Sequence, residues 1–103
     1  MSDRPVEPER CDTMADLRAA VDTLDAELVA LLARRFAYMR AAARIKSERD
    51  AVRDEDRKAE VIAKARNRAE ALGIPGEMVE DLWDRLVEHS IAYETAEWDR
   101  LRG

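Results

Sequence analysis

The side chains best placed for chemistry in this sequence are two long cations, Arg35 and Lys46. Arg35 occupies one position of a stripe of apolar residues that recurs every three or four positions. Lys46 follows eleven residues later, which on a helix rotates it by only ~20° and moves it ~16 Å along the same face. The two cations could therefore close on a small dianion from its two ends. Alternatively, the stem of Arg35 packs in the core while its head reaches solvent, and Lys46 is an ordinary surface lysine.

A third cation, Arg18, borders the same stripe but lies far from the other two. On a straight helix it is ~25 Å from Arg35 and ~42 Å from Lys46, so it cannot join their site within one chain. An antiparallel helix from a second copy would bring the other chain's Arg18 to that site. Each such dimer would then hold two symmetry-related sites.

Two more cations, Arg57 and Lys58, fall in the first turn of a predicted second helix. The positive end of the helix dipole disfavours cations there, unless an anion is bound beside the exposed backbone N–H groups. In the alternative, Asp54, Glu55 and Asp56 already satisfy the dipole and pair with the two cations. The sequence leaves both interpretations open.

Ser90 and Glu94 lie one turn apart on a row of the third predicted helix that also carries Trp83. A carboxyl group there is either a surface residue or one that keeps its proton in a cleft. We interpret Trp83, Tyr93 and Trp98 as packing residues rather than a platform on which nucleic-acid bases stack. The net charge of −5, from 18 basic and 23 acidic residues, supports this interpretation.

Other kinds of chemistry lack the residues they require. One histidine, His89, and one cysteine, Cys11, do not make a metal site of the usual kind, and no glycine-rich loop could hold phosphates. No nucleophile–base arrangement is recognisable either. We therefore expect an enzyme without a cofactor or metal, which would work by binding, orientation and electrostatics.

The elements that must position these residues are helices. The chain has 103 residues, 40% of them charged, with only 3 Gly and 3 Pro, a composition typical of long helices. We predict an all-α fold of three helices: long, medium and long. The first, from about residue 13 to 49, would be ~55 Å long, more than the rest of the chain can cover. Its apolar stripe begins with Met14, Leu17, Val21, Leu24, Leu28 and Leu31.

The helix ends have local signals. Thr13 or Asp12 can cap the first helix and Asp54 the second, Gly73 stops the second, and the third opens at Pro75 or Gly76. We expect residues 1–11 to be a flexible lead-in and residues 12–103 to be one helical domain. No segment has the apolar length of a membrane span or the core of a signal peptide. A single cysteine also suits a reducing compartment, so we expect a soluble cytoplasmic protein.

The ordered set of these residues resembles the all-helical (AroQ-type) chorismate mutases. The match comprises Leu17-Arg18-x-x-Val21-Asp22-x-x-Asp25-x-x-Leu28, then Leu31-Leu32-x-Arg34-Arg35, Lys46 and Val52-Arg53-Asp54-x-x-Arg57. The stretches from Cys11 to Lys46 and from Ile91 to Trp98 are also similar to the related isochorismate-pyruvate lyase. This resemblance covers about Asp12 to Trp98 and implies an intertwined homodimer of three-helix chains.

The resemblance also implies roles for the cations and for Glu94. Arg18 from the partner chain and Arg35 would grip the two carboxylates of a small dicarboxylate substrate. Lys46 would bond the ether oxygen and a carboxylate, and Glu94 would face the ether oxygen. Many members have Gln where this chain has Glu94. Because a carboxyl group donates only when protonated, we expect acidic pH to favour the mutase activity.

The remaining site residues would contact the ring and a carboxylate. By the same resemblance, Asp54 and Arg57 would line the ring side and Ser90 would touch a carboxylate. At the position of Lys58 the family commonly has a glutamate, which helps to bind the ring hydroxyl. Lys58 is therefore a candidate substrate-binding residue with the opposite charge.

The activity implied first is the conversion of chorismate to prephenate, on the route to phenylalanine and tyrosine. This intramolecular pericyclic rearrangement requires no base or nucleophile, which agrees with the missing chemistry. The alternatives are a lyase that forms salicylate and pyruvate from isochorismate, a mutase of the 4-amino analogue of chorismate, and a non-catalytic helical dimerisation module.

Overall fold

A computed structural model describes residues 5–103 of the chain. It contains three α-helices: α1, Met14–Ile45; α2, Glu55–Ala71; and α3, Gly76–Arg102. Two short 3-10 turns, Pro8–Arg10 and Arg49–Ala51, precede α1 and α2. Over residues 5–103 there is no β-strand, which confirms the predicted all-α order of long, medium and long helices.

α1 begins where the sequence predicts and ends earlier. The Thr13 hydroxyl accepts a 3.1 Å hydrogen bond from the Asp16 amide, so Thr13 caps the helix. The expected end near residue 49 is wrong, since α1 stops at Ile45. The carbonyl oxygens of Ala43 and Lys46 accept hydrogen bonds from side chains of α3. Amides of residues 47 and 50 would occupy those oxygens if the helix continued.

Both predicted ends of α2 are confirmed. Asp54 Oδ1 accepts a 3.0 Å hydrogen bond from the Arg57 amide, the expected N-cap. After the helix, Gly73 has φ 78°, a left-handed conformation that glycine adopts without steric cost. The Gly73 amide bonds the carbonyl of Glu70, and the Ile74 amide bonds that of Ala69. This Schellman motif turns the chain into α3.

The chain divides into two compact units, and the division falls within α1, between Arg35 and Phe36. In the second unit, α2 packs against α3. Phe36 also meets Tyr93 edge to face, with ring centroids 4.9 Å apart. The buried apolar residues of this small core are Ala43, Val52, Ala69, Val79 and Val87.

The first unit keeps its apolar stripe exposed. Leu28, for example, is 52% exposed, and the other stripe residues from Met14 to Leu31 are exposed as well. Residues Val6, Pro8 and Cys11 of the predicted lead-in line an apolar pocket of about 360 Å³ together with Leu17 and other residues of α1. The flexibility expected of residues 1–11 stays a prediction, and residues 1–4 lie outside the described part of the chain. No described helix is long and apolar enough to cross a bilayer.

Candidate functional site

Lys46 and Glu94 form an ion pair at the C-terminal end of α1. Lys46 directly follows the last residue of α1, and its amide still bonds the carbonyl of Ala42 at 2.9 Å. Its Nζ lies 2.7 Å from Oε2 of Glu94, whose side chain is only 5% exposed, against 30% for Lys46. A carboxylate that is this buried needs a partner, because desolvation penalises an isolated charge. The lysine is that partner, and its own side chain remains partly exposed to solvent.

Glu94 belongs to a buried row of α3 that combines apolar and polar groups. Val87, Ser90 and Glu94 are all buried, at spacings of three and four residues that place them on one helix face. The Ser90 hydroxyl donates a 2.7 Å hydrogen bond to the carbonyl of Leu86. Buried polar side chains are costly in a small core and are frequent in sites that bind polar ligands. The structure therefore places the predicted residues Ser90 and Glu94 one turn apart on the inner face of α3.

At the start of α2, Arg57 pairs with its neighbour in the helix. The Arg57 guanidinium forms an exposed ion pair with Glu60, one turn further on. This pair differs from the expected ion pairs with Asp54, Glu55 and Asp56, and the binding of an anion at this helix end stays a prediction. Asp54 meanwhile caps the helix with its carboxylate.

Lys58 reaches across to α3 instead of pairing within α2. Its Nζ lies 2.8 Å from Glu88 and 3.1 Å from Asp84, and its side chain is largely buried. Hydrogen bonds with Glu88 and then Asp84 raise its pKa. The other oxygen of Glu88 receives a 2.8 Å hydrogen bond from Arg53, which also bonds Glu55. Hydrogen bonds from Arg53 and Lys58 lower the pKa of Glu88 to about 2, so this carboxyl group is charged at all ordinary pH values.

Two residues for which the sequence predicts no role at the site hold the backbone of Lys46. Trp98 Nε1 donates a 3.0 Å hydrogen bond to the Lys46 carbonyl oxygen, and Arg102 Nη2 donates one of 2.7 Å. Arg102 Nη1 bonds the carbonyl oxygen of Ala43 at 3.1 Å. The only signal in the sequence is the placement of an indole and a guanidinium one turn apart near the end of α3, which many surface helices share.

Arg18 and Arg35 belong to the first unit. Arg18 is exposed on α1, beside the exposed leucine stripe, and Arg35 is half-buried at the end of the unit. Within the second unit the structure brings together Lys46, Glu94 and the neighbouring Ser90, whereas Arg57 and Lys58 pair elsewhere.

The arrangement around Glu94 offers one ammonium donor and one carboxyl group at a partly buried position. Such a pair can bind an anion through the lysine and either accept or, when protonated, donate a hydrogen bond through the carboxyl group. A group of three candidate metal ligands does not occur within residues 5–103.

The chain is similar to known proteins in sequence. A family model described as chorismate mutase type II matches residues 17–95. The isochorismate pyruvate lyase of Pseudomonas aeruginosa is 33% identical to this chain over 96 residues, which cover 93% of this chain and 95% of that protein.

Proposed function

The chain belongs to the type II chorismate mutase family, and from this premise we propose that it converts chorismate to prephenate in the cytoplasm. The observation that carries the proposal is the pair of Lys46 and buried Glu94, 2.7 Å apart on the side of α3 that also presents Ser90. It supplies two groups able to act on an oxygen atom that gains negative charge. The matched residues, 17–95, span both of them.

The proposed mechanism needs no chemistry beyond position and charge. In the rearrangement one C–O bond breaks and one C–C bond forms within the same molecule, so atoms and electrons balance without a co-reactant. Lys46 stabilises the negative charge that develops on the ether oxygen as the C–O bond breaks. Protonated Glu94 donates a second hydrogen bond to the same oxygen. Because both bonds strengthen in the transition state, they raise kcat rather than only substrate affinity.

Lys46 can bind a substrate carboxylate before its contact with Glu94 opens. Lys46 donates one of its three N–H bonds to Glu94 and is 30% exposed, so its other donors can turn to a substrate carboxylate. Arg35 is proposed to bind the second carboxylate, and Ser90 to touch a carboxylate from α3. Asp54, Arg57 and Lys58 are proposed to face the ring. For Arg57 this requires the exposed pair with Glu60 to open, at a small cost for surface ions.

We also propose that the active species is a homodimer. The exposed stripe of α1, which includes Leu24 and Leu28, is an apolar surface of the kind that marks an interaction site. A second copy paired antiparallel would cover it and would bring the partner's Arg18 to the Lys46 end of α1. Each dimer would then hold two sites of mixed origin.

The second candidate activity is cleavage of isochorismate to salicylate and pyruvate. The lyase of P. aeruginosa, at 33% identity over almost the whole chain, favours it. Isochorismate contains the same atoms as the two products together, so this reaction also needs no co-reactant. The segment Arg53-Asp54, which lies at the start of α2, favours the mutase instead.

Product identification decides between these activities. Purified protein is incubated separately with chorismate, isochorismate and the 4-amino analogue of chorismate, and the products are identified by chromatography with mass detection. We expect prephenate from chorismate, and at least 100-fold less of it with Lys46→Ala, roughly the loss for one electrostatic donor. Salicylate and pyruvate from isochorismate would instead establish the lyase.

A non-catalytic dimerisation module predicts a different set of results. It would give no product from any of the three compounds, and none of them would raise the melting temperature, because a ligand stabilises only a protein that binds it. Arg35→Ala and Lys46→Ala would then leave the biological activity intact.

A further inference from the structure

The carbonyl oxygen of Lys46 is held by two side chains from the far end of α3. Trp98 donates to it at 3.0 Å and Arg102 at 2.7 Å, although more than fifty residues separate them in the sequence. Carbonyl oxygens in the last turn of a helix have no amide partner within the helix and need another donor. Here that donor is supplied at Lys46, the residue that carries the ammonium group of the proposed site.

Arg102 bonds two backbone carbonyl oxygens at the end of α1 through one planar group. Its Nη2 bonds the Lys46 carbonyl, and its Nη1 bonds the Ala43 carbonyl at 3.1 Å. The guanidinium also stacks on the Trp98 ring, 4.2 Å from the ring centroid. A planar fork can bridge two acceptors in this way, whereas the point charge of a lysine cannot match both directions. The cation also lies at the negative end of the α1 dipole, where it is favoured.

A second contact, just after Lys46 in the sequence, also involves the C-terminal end of α3. Arg49 lies in the 3-10 turn after α1, and both oxygens of Asp99 accept hydrogen bonds from its guanidinium at 2.8 and 3.1 Å. Lys46 therefore lies between Ala43 and Arg49, and each of these residues is hydrogen-bonded to a side chain of α3. Because four rotatable bonds separate its backbone from Nζ, the ammonium group reaches Glu94 reliably only if that backbone is fixed.

We propose that Trp98 and Arg102 are positioning residues for Lys46: they act on catalysis by fixing the backbone from which its ammonium group reaches Glu94 and the substrate. This inference rests on the proposed function only in taking Lys46 as a group that binds the substrate. Its geometric part, the dependence of the Lys46–Glu94 contact on Arg102, stands without any activity.

The kinetic test is a double-mutant cycle. We expect Arg102→Ala to lower kcat/KM by about 10- to 100-fold, mostly in kcat, because a displaced catalytic group loses its contact in the transition state. Trp98→Phe removes one hydrogen bond and should cost less, and Arg102→Lys should restore only part of the rate. In a Lys46→Ala background, Arg102→Ala should have almost no further effect. A loss of the same size in that background would overturn the proposal.

A matched control and a spectroscopic readout separate positioning from folding. Arg100→Ala removes a guanidinium of the same helix end that pairs only with Glu97 among the contacts described, and it should leave kcat/KM within twofold. The ammonium resonance of Lys46, assigned by its loss in Lys46→Ala, should shift or broaden in Arg102→Ala and Trp98→Phe but not in Arg100→Ala. An unchanged resonance in Arg102→Ala would overturn the proposal. If wild type forms no product, the proposed function fails while this spectroscopic test still decides the positioning.

Discussion

Nζ of Lys46 lies 2.7 Å from Oε2 of Glu94, so the two groups proposed to act on one substrate oxygen also bind each other. Glu94 is buried and Lys46 keeps part of its surface in solvent. The proposed role of Glu94 as a hydrogen-bond donor to the ether oxygen requires a proton on this carboxyl group. For both groups to act on that oxygen, their direct contact must open.

The first prediction is the shape of the pH–rate profile. For wild type, kcat/KM with chorismate should be higher at acidic than at alkaline pH, because a carboxyl group donates a hydrogen bond only when it is protonated. Glu94→Gln carries an amide donor at every pH, so its profile should be flat, and at alkaline pH it should exceed wild type. The measurement is initial rates of prephenate formation across the acidic and alkaline range.

Glu97→Gln is the control for this profile. Glu97 lies less than a turn from Glu94 on α3, but its carboxylate pairs with Arg100. It should retain the wild-type slope. Profiles of the same shape for wild type and Glu94→Gln would show that the proton of Glu94 has no role in the reaction.

The second prediction separates the structural and catalytic parts of the ion pair. Lys46→Met leaves the Glu94 carboxylate buried without its ammonium partner, at a cost of about 1–3 kcal/mol in the free energy of unfolding. Lys46→Met combined with Glu94→Gln removes both charges and should recover most of that loss. It should not recover activity, because no cation remains at the substrate. Urea unfolding and steady-state kinetics on the same preparations measure the two effects.

An additive loss of stability in the double variant would contradict this account. It would mean that Lys46 and Glu94 contribute independently, and that the 2.7 Å contact carries no coupling energy.

Local signals made much of the fold predictable. The caps at Thr13 and Asp54 and the left-handed Gly73 are set by neighbours within a few residues, and the structure confirms all three. Glu94 and Lys46 could each be singled out by residue type and by family resemblance. Their direct contact could not be predicted, because periodicity shows that a residue lies on a helix row and does not show what faces it.

The features that the sequence did not predict depend on tertiary contacts. α1 ends at Ile45 rather than near residue 49, and the carbonyl oxygens at its end bond the side chains of Trp98 and Arg102. In the same way, Glu88 receives both Arg53 and Lys58 only because α2 packs against α3.

The third prediction concerns this acidic group. The pKa of Glu88 falls from its ordinary 4.5 to about 2, through hydrogen bonds from Arg53 and then Lys58. A lowered pKa stabilises the folded state at pH values above 4.5, and this contribution disappears as the pH falls towards 2. Glu88→Gln should therefore melt at a lower temperature than wild type near neutral pH, and the difference should vanish through that acidic window.

Melting curves followed by circular dichroism test this at a series of pH values. Asp81→Asn is the matched control, because Asp81 also lies on α3 and, among residues 5–103, forms an ion pair only with Arg85, at 3.7 Å on the exposed surface. Its melting temperature should stay near that of wild type at every pH. A constant difference between Glu88→Gln and wild type down to the lowest pH would exclude the proposed linkage.

The fourth prediction addresses the exposed stripe of α1. Leu28→Asp places a charge in the centre of the proposed dimer interface, and burying an unpaired carboxylate costs several kcal/mol. The variant should sediment as a monomer at concentrations where wild type is a dimer, and it should lose activity. Ala26→Asp adds the same charge on the opposite side of the helix and should remain dimeric. If Leu28→Asp were dimeric like Ala26→Asp, this stripe would not be the interface.

The fifth prediction tests whether each site draws residues from two chains. Arg18→Ala and Lys46→Ala should each be nearly inactive. If the partner's Arg18 completes the site that contains Lys46, a heterodimer of the two variants has one site with both cations and one site with neither. Equal mixing after unfolding and refolding gives half heterodimers, so about a quarter of wild-type activity should return.

Activity that returns on mixing requires a site built from two chains, because a site within one chain would stay incomplete. If Arg18 and Lys46 served one site within the same chain, every chain in the mixture would lack one of them, and mixing would restore nothing. Refolding either variant alone controls for the treatment itself. A stricter control refolds the double variant Arg18→Ala/Lys46→Ala with an equal amount of wild type. Each mixed dimer then has two sites, and each of these sites lacks one cation. Activity should therefore fall to about half of what the same amount of wild-type chain gives when it is refolded alone. Activity proportional to the amount of wild-type chain would place Arg18 outside its partner's site.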